Sequence, residues 1–155
     1  MQLYRNLRNA NHTQLLSELI RKSELSVLCS GWIKLPGLER LLPAMDWALE
    51  QNAAKIVVYS NFKQTLEGVS EALAARKTLT HRMVIGPKPL HTKLYYFETK
   101  GHYTAVIGSA NITEGGLFGN EELSIVMTGT EGDTTYSQIQ HYLGKLASLR
   151  FAIAK

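Results

Sequence analysis

Two hydrophobic periods alternate along the first half of the chain. Leu15, Leu16, Leu19 and Ile20 share one helical face over residues 13–22, with Asn11 or Thr13 available as a cap. Leu25–Ser30 is a short apolar run that predicts a buried strand. A second helix is expected after Pro36, carrying Leu38, Leu41, Leu42, Met45, Trp47, Ala48 and Leu49. Residues 55–60 (KIVVYS) predict another strand, and residues 62–76 a third helix through Leu66, Val69, Ala72 and Leu73.

Beyond Leu79 the period changes. Residues 79–85, 90–98, 103–108 and 122–127 all predict strands, separated by Gly86-Pro87-Lys88-Pro89, by Lys100-Gly101 and by a glycine-rich stretch ending at Asn120. A closing helix over 134–150 carries Tyr136, Ile139, Tyr142, Leu143, Leu146 and Leu149. Strands that are apolar at successive positions need cover on both faces. The expected fold is therefore α/β, a mixed central sheet with helices on both faces, in a single domain over residues 1–155. No linker and no internal repeat interrupts it.

Composition narrows the function classes. Hydrophobic residues make up 45% of the 155, ample for a core and unlike a disordered chain. A net charge of +4 and a pI near 9.2 mildly favour an anionic partner, although the basic residues are scattered. The single cysteine, Cys29, excludes an internal disulfide framework and a cysteine zinc site, and its apolar surroundings predict an inert buried thiol. Met1 to Asn6 has no apolar signal-peptide core, and no stretch reaches bilayer length, so a cytoplasmic protein without membrane elements is expected. His12, His81, His102 and His141 are isolated in sequence, and no metal-ligand cluster, phosphate loop, nucleophile elbow or dinucleotide fingerprint is present.

The chemistry-bearing stretch is Leu90-His91-Thr92-Lys93, followed by Gly108-Ser109-Ala110-Asn111 and by Asn120-Glu121-Glu122. On one strand His91 and Lys93 project from the same face. A cation and an imidazole inside an apolar strand are costly unless an anion is meant to sit beside them. The small residues after Gly108 allow backbone amides and the Ser109 and Asn111 side chains to approach a phosphate. Each feature alone is ordinary: a strand edge, a turn, a solvated rim carboxylate. Their order and close spacing are what make them informative. Tyr95 and Phe97 share the face of His91, where stacking on bases stays open beside their plainer use as strand core.

The string His91-x-Lys93, with an acidic residue five positions after the lysine and then Gly108-Ser109-x-Asn111, resembles the HKD signature of the phospholipase D superfamily. Glu122, eleven residues past Asn111, matches the glutamate of its small single-motif nucleases. The chain resembles those nucleases and the catalytic domains of metal-independent type IIS restriction endonucleases. The motif region spans about a fifth of the chain. It departs from the signature at Glu98, where aspartate is usual, and in the longer gap to Gly108. In that family this acidic residue mainly supports the fold.

The resemblance implies a phospholipase D-like fold and a phosphodiesterase, most simply an endonuclease hydrolysing DNA, that needs no metal and no cofactor. One motif per chain implies a homodimer with the site on its two-fold axis. His91 would attack phosphorus, and His91 of the partner subunit would protonate the leaving oxygen. Lys93 and Asn111 would hold the phosphate oxygens, with Ser109 adding a hydrogen bond. Glu122 would accept from the other ring nitrogen of His91. Alternatives are a phospholipase or phosphatidyltransferase, a phosphatase, or a catalytically silent nucleic-acid-binding dimer module.

Overall fold

The computed structural model describes residues 1–152; residues 153–155, included in the single-domain expectation, lie outside the described part. The elements run β1 (Gln2–Arg5), α1 (His12–Lys22), β2 (Leu25–Ser30), α2 (Leu35–Glu39), α3 (Leu42–Gln51), β3 (Lys55–Asn61), α4 (Val69–Ala74), β4 (Thr80–Val84), β5 (Lys93–Thr99), β6 (His102–Gly108), β7 (Leu123–Thr130) and α5 (Thr134–Ala147). The strands form one mixed sheet in the order β1-β7-β6-β5-β2-β3-β4. β2, β3 and β4 are parallel, and β5, β6, β7 and β1 continue the sheet antiparallel from the other side of β2.

Alternation along the strands divides the core into two layers. Leu28, Ile56, Val58, Tyr95, Phe97 and Val106 face α1, α3 and α4 on one side. Cys29, Tyr59, Leu94, Tyr96, Tyr103 and Ala105 face the other side, where α5 contributes Ile139 and Leu146. Tyr95 and Phe97 are thus core residues and are not available to stack on bases. Burial pushes the Cys29 thiol up to about 12, so it is inert at neutral pH.

The elements differ from the sequence expectations where local breakers act. The helix after Pro36 is split into α2 and α3, because Pro43 has no N–H to continue the ladder. The helix expected over 62–76 shrinks to α4. Asn61 caps a single tight turn at Phe62–Gln64, and Gly68, at φ +81°, takes a left-handed conformation that ends any continuity. β5 begins at Lys93 and not at Leu90, since Pro87 and Pro89 remove ladder donors just before it. β1 has no apolar pattern, and forms by pairing its backbone with the outer edge of β7.

Two histidines, His12 buried and His81 half-buried, belong to the scaffold. His81 on β4 is bonded to the Ser60 hydroxyl (2.9 Å), and His12 is fully buried between Asn6 and Ser124. Burial lowers both imidazole pKa values, that of His81 to about 4; for His12 the Glu122 carboxylate partly opposes the shift. The unfolded chain binds protons below pH ~6.5 where the folded chain does not. Stability is therefore fully present above that pH and falls as pH drops towards about 4, by up to about 3 kcal/mol through His81. Urea unfolding of His81→Gln should show a shallower loss between pH 7 and 4.5 than the wild type. Equal slopes would exclude His81 as the source.

Candidate active site

β2 and β3 end, β5 begins, β6 ends and β7 begins along the same edge of the sheet. Five strand ends thereby deliver Ser30, Lys93, Gly108 and their flanking loops to one crevice, the usual place for a ligand in an open α/β sheet.

His91 lies two residues ahead of β5 in a segment pinned on both sides. The Leu90 carbonyl accepts from the Asn61 amide (3.3 Å), and the Thr92 carbonyl accepts from Gly31 N (3.1 Å). Only the imidazole between them is free, and it is exposed. Lys93 opens β5 opposite Ser30, and its ammonium lies 3.3 Å from each ring nitrogen of His91 while donating to the His91 carbonyl (2.9 Å). Burial lowers the Lys93 pKa, and the nearby Glu122 carboxylate raises it in part. Among the described residues Lys93 forms no ion pair, so its charge is open to an anion.

Asn111 follows β6 and is oriented from its oxygen. Oδ1 accepts from Trp32 N (3.2 Å) and from the Ser30 hydroxyl (3.3 Å). That orientation leaves the Nδ2 amide as the donor facing the crevice. Asn111 and Trp32 stand between two clefts, one of about 340 Å³ that also holds His91 and one of about 520 Å³ that reaches Glu122. The imidazole of His91 and the side chain of Asn111 thus line one cleft, and the Lys93 ammonium reaches it through its contact with the His91 ring.

Ser109 and Glu122 are placed differently from the sequence expectation. The Ser109 hydroxyl donates to the Glu122 carboxylate, so its hydrogen is already committed. Glu122 also accepts from Asn120 Nδ2 (3.3 Å) and makes no hydrogen bond with the His91 ring of its own chain. The reason is sheet order: β7 is separated from β5 by β6, about 10 Å away, too far for a short carboxylate already held by Ser109. Glu122 acts on Lys93 and His12 through its charge. Glu98 sits at the opposite end of β5, about 16 Å of strand from Lys93, and accepts from the Tyr96 hydroxyl (2.6 Å). It belongs to the scaffold.

The residues that sequence reasoning missed are those that hold the site. A Cβ at Gly31 would lie 2.6 Å from the Leu90 carbonyl oxygen and 2.9 Å from the Cα of His91, so only glycine lets the histidine segment cross here. Gly116 gives the Asn111 backbone the same clearance, with a Cβ there 2.4 Å from its carbonyl oxygen. Asn6, held by His12, donates to the carbonyls of Gly116 and Asn120 (3.0 Å each) and so ties the glycine-rich loop to α1. Their signal was position: Ser30-Gly31-Trp32 directly follows the carboxyl end of a central parallel strand. Gly31→Ala should displace His91 and lower turnover by about 100-fold with the fold retained, because misplacement on the ångström scale costs that much. Steady-state kinetics beside circular dichroism checks it, and wild-type turnover would disprove the positioning role.

A His-x-Lys ahead of a central strand, with an oriented asparagine lining the same cleft, agrees with a phospholipase D-type phosphodiester hydrolase, the class to which the family match assigns the chain. The family model described as the NgoFVII restriction endonuclease N-terminal PLD domain matches residues 54–152, well over half of the chain and every candidate site residue. The chain belongs to that family. Nuc from Salmonella typhimurium, a phospholipase D family member, superposes with a TM-score of 0.74 at 15% identity, over 99% of this chain and 97% of that one. NucT from Helicobacter pylori superposes at 0.68 and 13% identity, over 97% and 100%. A mutant of yeast tyrosyl-DNA phosphodiesterase gives 0.63 at 18% identity, over 94% of this chain and 37% of the yeast chain. No curated protein matches the chain by sequence. Among the described residues no three His, Cys, Asp or Glu side chains gather as a metal-ligand set, and no helix is long and apolar enough to cross a membrane.

Proposed function

We propose that this chain is a nuclease that hydrolyses DNA phosphodiesters through a phosphohistidine, in a site shared across a homodimer and without a metal ion. The carrying observation is the Lys93 ammonium, which among the described residues forms no ion pair and rests on the His91 ring, while His91 and Asn111 line one cleft. A diester phosphate placed there meets a nucleophile, a cation and a neutral donor. The family's description as a restriction endonuclease domain supports nucleic acid as the substrate.

In the proposed reaction a ring nitrogen of His91 attacks phosphorus, and the P–O bond to the leaving group breaks. His91 of the partner subunit supplies the proton to the departing oxygen. The same partner imidazole then removes a proton from water. That water attacks phosphorus, the P–N bond breaks, and His91 is regenerated. Lys93 and Asn111 of both subunits bear the charge on the non-bridging oxygens.

Pairing is supported by an apolar patch beside the site. Ile107 on β6 is opposite Ile125 on β7, which is opposite Leu3 on β1, and Leu123 lies on the same face. All four are exposed, from 37% to 66%, on the sheet face that α5 covers only farther along. The patch adjoins Ser109 and Glu122, and Ile107 pairs with Leu94, the neighbour of Lys93. A contiguous apolar set of this kind supports an association surface here.

The test is cleavage of single- and double-stranded DNA in excess EDTA. The expected result is undiminished cleavage. Cleavage abolished by EDTA would refute the phosphohistidine route, and intact DNA in every condition would refute the nuclease reading.

A further inference from the structure

The crevice carries an exposed indole that the hydrolytic chemistry does not use. Trp32 is 41% exposed, and it lines both the cleft that holds His91 and the cleft that reaches Glu122. Its backbone N–H donates to Asn111 Oδ1, so the residue that presents the ring is tied directly to the asparagine of the site. The ammonium of Lys34 stands 4.7 Å from the centroid of the ring. Tyr95, Tyr96 and Phe97 pack inward, whereas Trp32 shares its exposure with Trp47, Phe62 and Phe118, and of these four only Trp32 lines the cleft that holds His91.

Resting on the nuclease reading, we propose that Trp32 and Lys34 form a base-stacking subsite, in which Trp32 takes the face of the nucleobase next to the phosphate bound at His91. The Lys34 ammonium stands over one face of this partly exposed indole; the other face suits a planar base, and that ammonium suits the next phosphate along the strand. Charge agrees with this occupant. Glu114, which lines the same cleft, is paired with Arg40 (2.7 Å), and Lys34 adds a further cation there, while Glu122 keeps its charge at the far end of the cleft from His91. The His91 cleft shares Asn61, Gln64 and Pro89 with a further cleft of about 460 Å³ lined by Phe62 and Lys63. Phe62 is exposed there, so a second aromatic and a second lysine wait on the other side of His91. A base stacked on Trp32 has left its duplex stack. The subsite therefore selects a strand whose base next to the reacting phosphate is unpaired.

The experiment uses His91→Ala/Trp47→Phe protein, which leaves Trp32 as the only fluorophore of its kind and binds without turnover. It is titrated with a thymidine oligonucleotide and with a strand of equal length and charge whose central nucleotides are abasic. The expected result is quenching of Trp32 emission by the base-bearing strand, and binding roughly tenfold or more tighter than the abasic strand. In His91→Ala/Trp32→Ala protein the two affinities should become equal, with the oligomeric state unchanged, and Trp32→Phe should restore most of the difference. Equal affinities with unquenched Trp32 emission would overturn the stacking subsite and leave the nuclease reading standing. Failure to bind either strand would overturn both.

Discussion

His91→Ala is expected to leave the fold intact and to lower phosphodiester turnover by at least about 10⁴-fold. The fold should survive because the imidazole is exposed, and among the described residues its ring hydrogen-bonds with Lys93 alone. Stability should stay within about 0.5 kcal/mol of the wild type. Turnover should collapse because one substitution, present in both protomers, removes the nucleophile and the general acid together. Residual binding should persist, since Lys93 and Asn111 remain. The check is single-turnover cleavage beside a thermal melt. Activity within tenfold of wild type would place the nucleophile elsewhere.

Ile125→Glu is the second large effect. In an isologous interface each substitution is met twice, so two carboxylates would be brought together in an apolar contact with Ile107, Leu3 and Leu123. Like charges so placed cost several kcal/mol, which weakens association by about 10³-fold. The expected species in sedimentation is a folded monomer with intact Lys93 and His91 and no turnover. A variant that stays dimeric and active would move the interface off this patch.

The sequence made the scaffold legible where periodicity was strong. The apolar runs of β2 and β3, and the alternation through Tyr95 and Phe97, required a sheet covered on both faces, which is the architecture found. Less legible were features set by neighbours distant in the chain. β1 exists because β7 offers it an unpaired edge, which nothing in Gln2–Arg5 announces. The partner of Glu122 depended on sheet order: with β6 lying between β5 and β7, the carboxylate meets Ser109 before it can meet His91. His-x-Lys was readable because the two residues are local to one segment. The crossing of Gly31 under His91, and the hold of Trp32 N on Asn111, join residues about 60 to 80 positions apart, and only the fold brings them together. The buried pair His12 and Asn6 looked incidental in sequence, yet it ties down the loop that carries Asn120.

The central claim is that one site needs His91 from two chains. It is tested most directly by mixing wild-type protein with increasing proportions of His91→Ala protein, allowing exchange, and measuring DNA cleavage in EDTA at constant total protein. If both imidazoles are required, activity falls as the square of the wild-type fraction, because mixed dimers lack either the nucleophile or the proton donor. A linear fall would mean that each chain works alone, and would contradict the shared site.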